Sequence, residues 1–372
     1  MKLKYLIYSF FIAVIAIIIF SAVSKRDKNQ INENLNYEKI NIGGETAYWG
    51  VYDPSVEYGD NNTGWLAYSA LFKQGYVDTH LAKSADNGKT WSKIKEIDTS
   101  FEDSVIYKDK TIEGVWRHET STLLYDKDEP DNNKKWKLFW IRGFAKSPFR
   151  ESDAIWEYVQ VWYKYARAPE ELSQAKGASL FSSSFCKPPA CNAKYNLNNF
   201  HNNLQDVVFY MEPGSLAFNN TLYLTLSAVS LTEKQRTILL SSSDHGETWK
   251  YINILTDKND NINPDYPILT SSSLAEENGK VFLFVSPRGE GSVGYNGVYV
   301  FEFEDISQGK LKRNKDGKLV VNKYIPPISS ANIGGGQSEY HQKNTYGGAI
   351  MSQSDPANPS ERFQIFSTKE KI

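Results

Sequence analysis

Ser84–Trp91 reads SADNGKTW, and Ser242–Trp249 reads SSDHGETW. One skeleton, S-x-D-x-G-x-T-W, serves both. Each copy closes an apolar-alternating run, THLAKS before the first and TILLSS before the second. Asp86 and Asp244 stand where a carboxylate accepts from the backbone two residues on, closing an Asx-type turn. Gly88 and Gly246 supply the positive φ of a tight turn. The Thr hydroxyl adds a second clamp. Trp91 and Trp249 restart an extended segment that packs under the corner. Each copy therefore predicts a hairpin corner between two strands. Both aspartates are expected to staple turns and to do no chemistry.

The motif resembles the Asp-box, the neuraminidase repeat of sialidase-like β-propellers. That resemblance implies a propeller and is silent on substrate. A repeated corner also implies a repeated unit. Five stretches fit one: DPSVEY with GWLAYSA, ETSTLLY with WKLFWI, EPGSLAF with LYLTLSA, YPILTSSSL with VFLFVS, and YGGAIMS with FQIFS. The fifth runs out at the C-terminus, and the segment YEKINIGGETAYWG before Asp53 is placed to supply its missing strands. Ring closure removes exposed sheet edges, and radial four-stranded blades are one way to achieve it. The expected fold is all-β, a five-bladed propeller. A sixth blade between Lys176 and Val207, as in the sialidase type, stays open.

Composition fits this reading. Aromatic residues make up 14% of 372 residues, which suits strands and sugar-stacking surfaces. The net charge is −2 with both signs interspersed, so no basic stripe marks a nucleic-acid partner. Tyr5–Val23 is an uncharged run behind Lys2 and Lys4. As a helix it spans about 28 Å, close to the ~30 Å of a bilayer core. Ala22-Val23-Ser24 resembles a cleavage site. Residues 1–24 thus read as a signal peptide or an N-terminal membrane anchor, 25–37 as a polar linker, and 38–372 as the propeller. Either reading of the first segment implies export, with a membrane partner if the run is retained. The only cysteines, Cys186 and Cys191 in CKPPAC, are expected to form a local disulfide in an oxidising compartment.

Three units begin with a carboxylate: Asp53 in YDPS, Glu119 in WRHET and Glu212 in FYMEPG. The first strand of a propeller blade lines the channel, so acids at one place in three blades converge. Glycoside cleavage needs such a set, one carboxyl protonated for the leaving oxygen and one ionised. The order DP, RHE, EP resembles five-bladed glycosidases of the arabinanase and fructosidase kind. That resemblance implies Asp53 as base or nucleophile, Glu119 as an orienting acid and Glu212 as general acid. The departures are a Glu after Arg-His where that family favours Asp, and the Asp-boxes themselves, which belong to the sialidase side.

Sialidases clamp a carboxylate with three arginines and use a Tyr–Glu nucleophile pair. Their F/Y-R-I-P motif is absent here. Arg117, His118, Arg142 and Arg288 are candidate channel groups, and Tyr340, His341 and Tyr346 are candidate pocket groups. GEGSVG at Gly289–Gly294 precedes a strand instead of the helix that a dinucleotide site requires. IGGGQ at Ile333–Gln337 lacks the Lys-Ser/Thr of a P-loop. The histidines are scattered and no metal or cofactor is expected. The sequence thus predicts an exported carbohydrate-active propeller, a glycoside hydrolase of sialidase-like type, with a non-catalytic glycan- or protein-binding propeller as the rival.

Overall fold

The computed structural model describes residues 37–369 apart from 74, 147–153, 187–190, 231–234, 261, 290–293, 329–332 and 355–361, together with 371–372. The expected signal or anchor at 1–24 and the linker up to residue 36 lie outside the described residues. Among the described residues no helix is long and apolar enough to cross a membrane.

Five antiparallel-based sheets form five blades. Blade one is built from Val51–Tyr58, Gly64–Lys73, Tyr76–Ser84 and Trp91–Asp98. Blade two takes Lys110–Tyr125, Trp136–Lys146, Ala154–Ala166 and Ala178–Ser182. Blade three takes Val207–Phe218, Thr221–Ser230, Arg236–Ser242 and Lys250–Thr256. Blade four takes Ile268–Glu277, Lys280–Arg288, Val298–Asp305 and Val321–Ile325. Blade five joins Ile333–Glu339, Ile350–Ser354 and Phe363–Ser367 to Glu38–Lys39 from the other end of the chain. The N-terminal strand pairs Glu38 with Ser367 and Lys39 with Phe366, closing the ring as the sequence predicted. The stretch from 176 to 207 holds the outer strand of blade two and short 3-10 turns. It adds no sixth sheet among its described residues.

The blades pack through apolar residues on alternate strand positions, as a period of two requires. The cluster between blades two and three contains Leu124, Phe139, Phe181, Leu224 and Trp249, all buried. At the corners, Asp86 accepts from the backbone N–H and the hydroxyl of Thr90 at 2.8 and 2.7 Å. Asp244 does the same with Thr248 at 2.8 and 2.5 Å. The carboxylate therefore reaches four residues on, not two. The nearer amide, Gly88 or Gly246, is taken by the hydroxyl of Ser84 or Ser242. Trp91 and Trp249 donate from the indole to the carbonyls of Gly88 and Gly246.

Slight desolvation raises the Asp244 pKa, but bonds from Thr248 and Ser242 outweigh it and hold the group at about 2. A carboxylate depressed in the folded state stabilises it above the unfolded pKa and loses that contribution as pH falls toward 2. The expected result is that Asp244→Asn removes part of the acid-side decline in melting temperature between about pH 4 and 2. An unchanged slope would show that the turn holds without its charge.

Cys186 and Cys191 are bonded, with Cα atoms 5.5 Å apart and a sequence separation of 5. So short a loop constrains the unfolded chain little. Replacing both by Ser is expected to cost about 2 kcal/mol in denaturant unfolding. A loss above about 4 kcal/mol would mean the pair also orders the chain around it.

Candidate active site

Every inner strand carries a bulge. Pairing with the second strand slips between Tyr52 and Ser55, Glu119 and Thr122, Met211 and Gly214, Thr270 and Ser272, and Gly335 and Ser338. In each slip a residue takes positive φ: Asp53 at 49°, Thr120 at 52°, Glu212 at 56°, Ser271 at 53° and Gly336 at 74°. Left-handed backbone is costly for β-branched Thr and is tolerated by Asp. A bulge kinks its strand and re-aims side chains. Repeated five times around the axis, it builds one ring of groups.

Asp53 and Glu212 occupy the same place in their bulges. The blade-two equivalent is Thr120, so Glu119 stands one residue earlier, and the expected alignment of three acids is corrected by that step. Thr120 uses its place to donate to Asp53 Oδ2 at 2.9 Å. The three carboxylates are buried and act on one another electrostatically: Glu119 and Glu212 on Asp53, and Glu212 on Glu119. Burial pushes Asp53 up to about 8, helped by those charges and opposed by bonds from the Thr120 hydroxyl and the Gln337 N–H. Burial also raises Glu119, against the Arg117 guanidinium at 2.9 Å. Tyr52 donates to the other oxygen of Glu119 at 3.3 Å.

Glu212 is an acceptor on both oxygens. Oε1 accepts from Tyr295 at 3.0 Å. Oε2 accepts from Ser227, Thr270 and the Ser271 N–H at 2.7, 2.6 and 2.8 Å. Arg288 is buried on the same side and pulls on the Tyr295 phenol electrostatically, while burial and Glu212 raise that phenol well above its ordinary pKa.

Other expected site residues lie elsewhere. His118 alternates with Arg117 and Glu119 along the strand and so faces away from the ring. Its Nδ1 accepts from the Trp140 indole at 3.0 Å, and burial lowers its pKa to about 3, so it is a neutral packing group. Arg142 lies between the rings of Trp116 and Trp162, 4.5 Å from each. Tyr340 and His341 follow the inner strand of blade five to its far end. They line a separate cavity of about 220 Å³ with Glu57 and Tyr125. There Tyr340 donates to Glu277 at 2.6 Å and His341 sits 3.0 Å from Glu57. Tyr346 is partly exposed beside the first corner turn, its N–H on Asn87 O. Tyr340 and His341 stand away from the ring because the strand Ile333–Glu339 carries the chain along the channel axis at about 3.3 Å per residue.

Tyr52, Thr120, Thr270, Ser271, Tyr295 and Gln337 belong to the ring without having been expected there. Tyr295 follows the GEGSVG run, and nothing in its neighbours marks it. The bulges are the one signal in principle, and a bulge has no short-range motif when its apex is Asp, Thr, Glu, Ser or Gly. Among the described residues, one group of metal-type ligands comes together, Asp126, Glu129 and His245. The Lys137 ammonium, 2.8 Å from Glu129 and 3.5 Å from Asp126, supplies the positive charge there.

No model of a known family matches the sequence, and no curated protein does. Solved structures do resemble the fold. A GH43 endo-arabinanase from Bacillus licheniformis superposes with a TM-score of 0.50 at 12% identity, over 87% of this chain and 95% of that one. A GH32 β-fructofuranosidase from Bombyx mori gives 0.49 at 11% identity, over 89% of this chain, which spans only 62% of that enzyme. A Hadza microbial sialidase gives 0.44 at 12% identity, over 86% and 56%. The chain is thus a five-bladed β-propeller, similar in fold to the endo-arabinanase.

Proposed function

We propose that this protein is a glycoside hydrolase acting at the ring of Asp53, Glu119 and Glu212. The observation that carries the reading is the meeting of three buried carboxylates from three blades, one raised to about 8 and one fully engaged as an acceptor. Environments that differ in this way separate acid from base. Asp53 holds its proton at neutral pH and serves as donor to the leaving oxygen. Glu212 stands as base or nucleophile. This exchanges the roles that the arabinanase-like motif implies. Glu119, paired with Arg117, orients the set.

A second reading rests on the Tyr295–Glu212 bond. In it Glu212 takes the phenol proton and Tyr295 attacks the anomeric carbon as the glycosidic C–O bond breaks and the leaving oxygen takes the Asp53 proton, the logic of an activated nucleophile. A panel of aryl glycosides, sialosides included, tests both readings with the variants Glu212→Gln and Tyr295→Phe. Loss in Glu212→Gln with Tyr295→Phe near parental favours direct carboxylate chemistry. Equal loss favours the tyrosine. Glycan binding without turnover by the parent on any member would make the propeller a binding module.

Export belongs to the same proposal. The uncharged run at Tyr5–Val23 and the paired cysteines support it. Cell fractionation that finds the mature chain in the cytoplasm would overturn it.

A further inference from the structure

Gln337 follows the bulge apex of blade five and is fully buried. Its Nε2 donates to Ser121 O at 3.1 Å and to Pro213 O at 2.9 Å. Ser121 directly follows Thr120, the hydroxyl donor to Asp53. Pro213 directly follows Glu212. The backbone N–H of Gln337 itself bonds Asp53. One residue thus touches the acid-bearing bulges of blades one, two and three from across the channel. Gly336, before it, has φ 74° and passes Asp53 Oδ1 closely enough that a built Cβ would lie 3.5 Å away. The Gly336 carbonyl accepts from Ser286 of blade four at 2.8 Å, tying the same turn to the remaining blade. A polar side chain in a channel usually satisfies itself, yet Gln337 Oε1 has no partner among the described residues. A buried orphan acceptor is unfavourable. An apolar plug of the same volume would avoid it, so filling space does not account for this amide.

We propose that Gln337 is a positioning residue, which holds the Asp53, Thr120 and Glu212 bulges in register across the channel. The role rests on the glycosidase reading for its kinetic consequence and not for its structural one. Bulged strands are held by few ladder bonds at the bulge, so two amide bonds there decide where the acids stand.

The variant Gln337→Met keeps length and volume and loses both donor bonds. On an aryl glycoside that the parent cleaves, kcat is expected to fall about 10- to 100-fold with KM within about threefold, since small displacements of reacting groups cost rates of that size. The alkaline limb of the pH profile, which the Asp53 donor sets, should move with it. A second readout needs no substrate: the Asp53 carboxyl, followed by carbon NMR and assigned with Asp53→Asn, should titrate at a midpoint shifted by about half a pH unit or more in Gln337→Met. Ser338→Ala, the next residue on the same strand, should leave that midpoint in place. Parental kcat and an unmoved Asp53 midpoint would overturn the proposal. So would failure of both Gln337→Met and Gln337→Glu to fold, which would make the amide a closure of the propeller. If the parent cleaves no glycoside, the enzymatic reading falls and the Asp53 titration alone decides the positioning role.

Discussion

Asp53→Asn is expected to make this protein more stable and, on the proposed glycosidase reading, to lower its turnover. Asp53 titrates near 8 in the folded state because burial disfavours its charge. Unfolded, it titrates near the ordinary aspartate value. A carboxyl raised in the folded state costs nothing below both values. Between them the unfolded chain has released the proton and the folded chain has kept it, so stability falls as pH rises. The window runs from about pH 4 to about 8. The cost at pH 7.5 is on the order of a few kcal/mol. Asparagine has no charge to bury and tolerates the left-handed backbone at this position. The variant should therefore gain melting temperature over the parent at pH 7.5, with the gain shrinking toward zero at pH 4. In the same variant, turnover of substrates with poor leaving groups should fall by about 10² to 10⁴. A gain independent of pH would trace to backbone conformation instead, and parental turnover would end Asp53's role as proton donor.

Gly50→Ala is expected to damage the ring closure. Gly50 has φ 100° and bridges Phe363, where the N-terminal segment meets the last blade. A Cβ there would lie 1.9 Å from the Phe363 carbonyl oxygen and 2.8 Å from its carbon. Backbone cannot yield as a side chain does, so the bridge must open. Gly279 is the control. It also has positive φ, 78°, and a Cβ would meet nothing within 4 Å. Gly279→Ala should cost only the conformational penalty, about 1–2 kcal/mol. Gly50→Ala should cost more than about 3 kcal/mol in denaturant unfolding. Equal losses would show that the closure absorbs the added atom and that the N-terminal strand contributes little.

The corner turns were legible in the sequence because the bonds that close them lie within eight residues. Ser84, Asp86, Gly88 and Thr90 close one another, and Ser242 through Thr248 repeat the pattern. Strand alternation was legible for the same reason, and five repeats of it point to five blades. The carboxylates Asp53, Glu119 and Glu212 stood out because each opens a unit. Their surroundings were hidden. Tyr295 reaches Glu212 from 83 residues away, and Gln337 reaches Ser121 from 216. His118, by contrast, is adjacent to Glu119 and was drawn into the site on that adjacency, while the strand turns it to the other face.

By itself, then, the sequence determined the repeated turn and the blade, since local bonds and a period of two specify both, while the choice of five blades over six fell to the closed ring of sheets. The tertiary structure alone decided which residues share the channel, that Thr120 and not Glu119 sits at the blade-two apex, and which carboxyl keeps its proton. Those properties depend on bulge register and burial. Both are set by contacts between blades that lie far apart along the chain, and a short stretch of residues carries no record of them.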